Sequence, residues 1–184
     1  MENFNKPRIP PLAETEWSDE QRELLNYAYR EGGFYNVIGT LARHWDASKA
    51  LGAMGSHVLG PTSRLSGRDR ELLILRTAWL CQAEYEWAQH VHIGLKAGLG
   101  RDEIERVQRG PEDPDWEAFD ATLIRAADEL HSRQCVSDRT WAQLSAVYDQ
   151  LQLMDVVFAV GQYTLVAMAL KSFGTPLDKG LEGY

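Results

Sequence analysis

An all-α chain is what this sequence predicts, on three observations. Apolar residues recur at three- and four-residue intervals along most of its length. Helix-start signatures precede several of those runs, and Gly- or Pro-rich stops close them. No stretch carries the period-two alternation of a strand, and no internal repeat or linker interrupts the pattern.

Taken in order, Pro7, Pro10 and Pro11 make residues 1–17 an extended arm. Ser18, with Gln21 at the third position after it, is a capping box, so a first helix is expected over residues 18–32. Leu41, Trp45, Leu51, Met54 and Val58 then mark a second over residues 40–59, stopped by "GPTS". Ser66, with Asp69 behind it, opens a third. Its body "ELLILRTAWL" is too apolar to have a wet face, so it belongs at the centre. Residues 83–97 form the fourth helix, closed by "AGLG", and residues 102–109 a short fifth, closed by "GPEDP". "DWEAFDATLIRAADELHS", "SDRTWAQLSAVYDQ" and the apolar "LMDVVFAVGQYTLVAMALKSF" supply the last three.

A length of 184 residues suits a single domain, 1–184, with a core that folds without disulfides or metal. Apolar residues make up 44% and charged residues 25%, the balance of a soluble globular protein. A formal charge of −8 with no Lys/Arg cluster works against nucleic acid as a partner. The first residues have neither a basic nor an apolar signal segment, and no apolar run approaches the length that spans a bilayer, so a cytoplasmic location is expected. Cys81 and Cys135 lie far apart with no chelating spacing and are expected to be free thiols.

The chemistry concentrates in "CQAEYEWAQHVHIG", residues 81–94. On a helix, Ala83, Glu86, His90 and Gly94 share one stripe, whereas Tyr85, Gln89 and His92 share another, so the two histidines point apart. Glu86 and His90 stand at i, i+4 with small residues at either end, leaving room for a helix or a ligand to approach. A carboxylate and an imidazole so placed can hold a proton between them, and burial would draw both toward neutrality. The same spacing also suits a solvated or core hydrogen bond. Tyr85 and Trp87 suit packing as well as ligand stacking. A metal site needs three or four ligands, and no second pair of matching spacing accompanies Glu86 and His90, so none is expected. Cys81 is a nucleophile candidate at a helix start or a small packing residue.

The segment "SGRDRELLILRTAWLCQAEYEWAQHVHIGLKAGLGRDEI" resembles the core, residues 66–109, of the carboxymuconolactone decarboxylase family, which includes the alkylhydroperoxidase D-like proteins. The resemblance rests on Arg70-Glu71 opening the apolar helix, on Glu86-Trp87 with His90, and on Ala97-Gly98-Leu99 before Asp102-Glu103. It implies the alkylhydroperoxidase D-like helical bundle and a homo-oligomer, a trimer or hexamer, with pockets near subunit contacts. Aligned on His90, the two cysteines of the family's peroxidase members fall at Ala83 and Glu86, and both are missing here. The Glu-aromatic-x-x-His of the decarboxylase branch is present instead. The resemblance therefore implies a cofactor-free lyase or decarboxylase acting on a small carboxylic acid or lactone. In it Glu86, His90 and an upstream Glu71 would move the proton, and Tyr85, Trp87 and Tyr163 would be candidates for holding the substrate. A thiol-dependent peroxidase and a non-catalytic small-molecule-binding oligomer are the rival expectations.

Overall fold

The computed structural model describes residues 6–25, 29–30, 33–181 and 183. Its centre is a helix whose start the sequence marks. The Ser66 hydroxyl accepts from the Asp69 amide at 3.0 Å, and α4 (Gly67–Leu80) runs from there with Glu71 through Ala78 all buried. Burying each large apolar side chain of such a run stabilises the fold by about 1.5–3 kcal/mol. α4 lies against α5 (Glu84–Lys96), α6 (Arg101–Arg109), α7 (Ala118–Arg133) and α9 (Gln150–Phe173). α8 (Asp138–Ser145), capped by Ser137, packs on α7 and α9.

Two polar features fix the registers. Arg76 of α4 donates to Asp128 of α7 at 2.6 Å and to the Val107 carbonyl at the end of α6 at 2.7 Å, bolting three helices together. Gly94 fixes the approach of α5 to α4. A side chain there would meet Leu99 at 3.1 Å and Leu75 at 3.3 Å, so the missing Cβ lets the two helices close on each other. That approach brings His90 against Glu71.

The N-terminal third departs from expectation. The first helix, α1 (Asp19–Leu25), ends well short of residue 32, and a two-stranded antiparallel hairpin, β1 (Tyr29–Arg30) with β2 (Gly33–Phe34), occupies ground read as helix. Two-residue strands are too short to show alternation, which is why no strand signal was visible. The second expected helix is two: α2 (Asn36–Leu41) and α3 (Trp45–Leu59). The break falls where Arg43 is drawn to the carbonyls of Pro10 and Pro11 and to Glu16, and where the His44 ring accepts from the Ala47 amide as a new cap. Gly39 sits so close to Pro11 that a Cβ would lie 3.0 Å from the proline ring, so the arm packs directly on α2.

α9 also corrects an expectation. It is 24 residues long, and an 18-residue window in it has a mean hydropathy of 1.7, long and apolar enough by length and composition to cross a membrane, with half of that window buried inside the protein. Asp155, buried near its start, takes His57 of α3 at 2.8 Å and the Arg64 amide at 2.6 Å.

Candidate functional site

Glu71, Glu86, His90 and Tyr163 are all buried, at 0, 2, 5 and 6% exposure, where α4, α5 and α9 meet. His90 Nδ1 lies 2.7 Å from Glu71 Oε2. The other oxygen of Glu71 accepts from Arg70 Nε at 3.0 Å, so one carboxylate is shared by a guanidinium and an imidazole. With Nδ1 committed to Glu71, the imidazole is held in one orientation and Nε2 becomes its working nitrogen. Tyr163 packs edge-on against the ring at a centroid distance of 4.6 Å.

Glu86 is on the same face of α5 but does not bond His90. Neither of its buried oxygens has a hydrogen-bond partner among the described residues. Burial alone pushes its carboxyl well above the ordinary 4.5, which favours the protonated acid. Burial foremost, then the charges of Glu71 and Glu86, push the Tyr163 phenol up, while Arg70 acts the other way. Of the two carboxylates that the sequence offered to His90, the one from the preceding helix makes the pair. The other is a buried acid without a partner, a costly arrangement that persists where structure over-determines it or chemistry needs it.

The aromatic candidates separate. Tyr163 joins the site. The Tyr85 hydroxyl donates to Asp178 of the C-terminal tail at 2.5 Å and accepts from the Val37 amide at 3.2 Å, while Gln89 donates to the same carboxylate at 2.6 Å. Trp87 is buried with its ring 5.6 Å from that of Trp79. These contacts turn Tyr85 toward the tail and pack Trp87 on α4. His92 is exposed, on the other side of α5 from His90.

Sequence reasoning did not anticipate a second cluster. Beyond α4, Gln82 takes a positive φ of 51°, and this turn presents Cys81 to a cavity of about 440 Å³ that also touches His131, Met168 and Lys171. Cys81 Sγ is 3.7 Å from His131 Nδ1, and Lys171 donates to the Cys81 carbonyl at 2.6 Å. Burial foremost, then Glu86, pushes the thiol up; Lys171 and a hydrogen bond with Thr164 act the other way. Fifty residues separate Cys81 from His131, and no spacing rule joins them. Cys135 is exposed. Among the described residues no three His, Cys, Asp or Glu side chains converge as metal ligands.

With this geometry in place, similarity to known proteins becomes informative. Residues 46–129 match the carboxymuconolactone decarboxylase family. The chain carries a domain of that family. No curated protein matches the sequence. Among solved structures, an alkylhydroperoxidase AhpD core, an uncharacterized peroxidase-related protein from Ralstonia eutropha JMP134, superposes with a TM-score of 0.81 at 17% identity, covering 96% of this chain and 94% of that one. A cysteine-to-alanine variant of the debrominase Bmp8 in complex with 2,3,4-tribromopyrrole gives 0.76 at 10% identity over 95% and 94%. A putative antioxidant defence protein AhpD from Agrobacterium tumefaciens gives 0.68 at 19% identity over 74% and 94%. At these identities the likeness shows the fold, which is AhpD-like. The family includes enzymes, among them a decarboxylase, peroxidases and a debrominase.

Proposed function

We propose that this protein is a cofactor-free acid–base enzyme of the decarboxylase type, acting on a small carboxylic acid or lactone. The observation that carries the reading is the buried Glu71–His90 pair with the unpartnered acid Glu86 beside it on α5. Decarboxylation of an unsaturated lactone acid breaks the bond to the carboxylate carbon, releases carbon dioxide and leaves the electron pair delocalised through the alkene onto the lactone carbonyl as a dienolate. That charge needs stabilisation, and one carbon needs a proton. An imidazolium at His90, braced by Glu71, supplies both. Glu71 holds the ring and compensates its charge, and Arg70 fixes Glu71. Glu86, protonated by burial, is a second proton source on the same face of α5. Glu86 stands where peroxidase members of the family have a thiol, and Ala83 where they have the other.

A thiol enzyme is the second reading, favoured by Cys81 beside His131 in an open cavity. The upward push on that thiol by burial and Glu86 makes it the weaker one, because the thiolate is the nucleophile. A panel of carboxy-lactones, unsaturated acids and an organic hydroperoxide, assayed with the parent, His90→Ala and Cys81→Ala, separates them. The proposal expects acid or lactone turnover that falls roughly 10²-fold or more in His90→Ala and survives in Cys81→Ala. Peroxide turnover lost only with Cys81 would replace it with the thiol reading.

A further inference from the structure

The Glu71–His90 pair is buried, so a substrate it acts on must come to it from a surface recess. The cavity beside Cys81 is placed for that. It lies where Leu80 and Cys81 close α4, His131 nears the end of α7, and Ala167, Met168 and Lys171 pass on α9. Buried Ala167 follows Tyr163 by four residues, one helical turn or about 6 Å along α9, and Tyr163 is the ring that packs on His90. α5 gives the same order. Cys81 precedes Glu86 by five residues, and Glu86 precedes His90 by one more turn on the same face. On that helix the unpartnered acid therefore stands between the cavity end and His90.

The lining has the chemistry of an acid site. In a chain with 27 Asp and Glu, no carboxyl lines this cavity, and Lys171 brings an ammonium to it. That ammonium gives one N–H to the Cys81 carbonyl at 2.6 Å and keeps two others to offer. His131 and Ser172 add donors, while Leu80, Ala167 and Met168 give apolar surface for the body of a ligand. A volume of about 440 Å³ falls within the roughly 300–1,000 Å³ of small-molecule sites. We infer that this cavity is the entry site of the substrate, where Lys171 captures a small acid or lactone acid by its carboxylate and from which it passes Glu86 to reach His90. The inference rests on the acid–base reaction proposed above. An exposed ion pair is weak, so the acid is gathered without being trapped. A net charge of −8 turns anions away from the rest of the surface, and a carboxyl-free opening with one ammonium is where they are admitted. The Cys81 thiol borders this path and takes no part in the capture.

Cys81 makes the cavity measurable. In Cys135→Ser protein it is the remaining thiol, and its rate of alkylation by N-ethylmaleimide reports whether the cavity is filled. A saturated γ-lactone carboxylate, with no alkene to delocalise a decarboxylation anion, should slow that alkylation; its methyl ester should not. Lys171→Met should raise the half-protecting concentration about tenfold, as expected for a lost hydrogen bond to a charged group, and Lys171→Arg should restore it. Each rate is compared with and without the acid, which removes any change a variant makes to the thiol itself. With an acid that the parent turns over, a bulky maleimide on Cys81 should block the turnover that Cys81→Ala retains. No protection by the acid, equal protection by the ester, protection indifferent to Lys171, or undiminished turnover by the capped protein would each overturn the inference. The alkylation measurement needs no turnover, so failure of the entry site and failure of the proposed reaction read out separately.

Discussion

Two histidines, His90 and His131, each stand beside a reactive side chain brought from elsewhere in the chain, and their surroundings are opposite. His90 is sealed between helices, bonded to a carboxylate with no exposed surface, with a second carboxyl beside it that bonds to nothing described. His131 is half-buried at the mouth of a cavity, 3.7 Å from a thiol, with an ammonium nearby. Water and salt moderate every charge at the open site. At the sealed one a protonation state chosen by burial is held there, because no solvent is at hand to offset it. A closed carboxyl–imidazole site suits proton delivery to a carbanion. The open thiol site suits encounter with a reagent, but its thiol is pushed toward the unreactive form.

The largest effect expected at the sealed site is from Glu71→Gln. It keeps the shape, removes the charge that supports an imidazolium, and should lower turnover by about 10²-fold. Steady-state kinetics should show the loss in kcat rather than in KM, since the variant keeps the shape of the site. An unchanged kcat would make Glu71 a packing residue.

Next is Glu86→Met, which should cost activity and add stability. The folded protein holds the Glu86 proton more tightly than the unfolded chain, so the native state is penalised as pH rises above the ordinary 4.5 and until the raised value is passed. Methionine removes that penalty and an unsatisfied group, a gain of about 1–3 kcal/mol at neutral pH. Thermal denaturation should find the gain shrinking below pH 4.5 to the part that comes from removing the unsatisfied group. A pH-independent difference would mean that Glu86 titrates normally.

The smallest effect belongs to the open site. Cys81→Ala should leave acid or lactone turnover within about twofold and cost about 1 kcal/mol or less of stability, as expected where half-exposed surface is trimmed. A hundredfold loss would make the open cavity the reactive one.

Much of this geometry is legible in the sequence, for reasons specific to each part. Ser18 and Ser66 mark helix starts because a side-chain oxygen meets the first free amides there, a purely local event. Helical spacing alone puts Glu86 and His90 on one inward face. It does not tell which carboxylate reaches His90, because Glu71 lies 19 residues away on another helix, and only the family resemblance names it. The break between α2 and α3 was hidden for the same reason, since it depends on Arg43 meeting carbonyls more than 30 residues earlier. Nothing in spacing reveals an unpartnered carboxyl, because a missing bond is a property of the whole packed interior.

Asp178 carries a last consequence. It accepts from the Asn36 amide and from the side chains of Tyr85 and Gln89, while the Arg8 and Ile9 amides donate to the Phe173 carbonyl. The Asn36 bond closes a span of 142 residues, against 19 for Glu71–His90 and 52 for Arg76–Asp128. Long loops are entropically unfavourable to close before other contacts shorten them. The clasp of arm, α2 and tail is therefore expected to form late in folding, over a core already assembled, and native-state hydrogen exchange should find it opening while the helices that hold His90 stay closed.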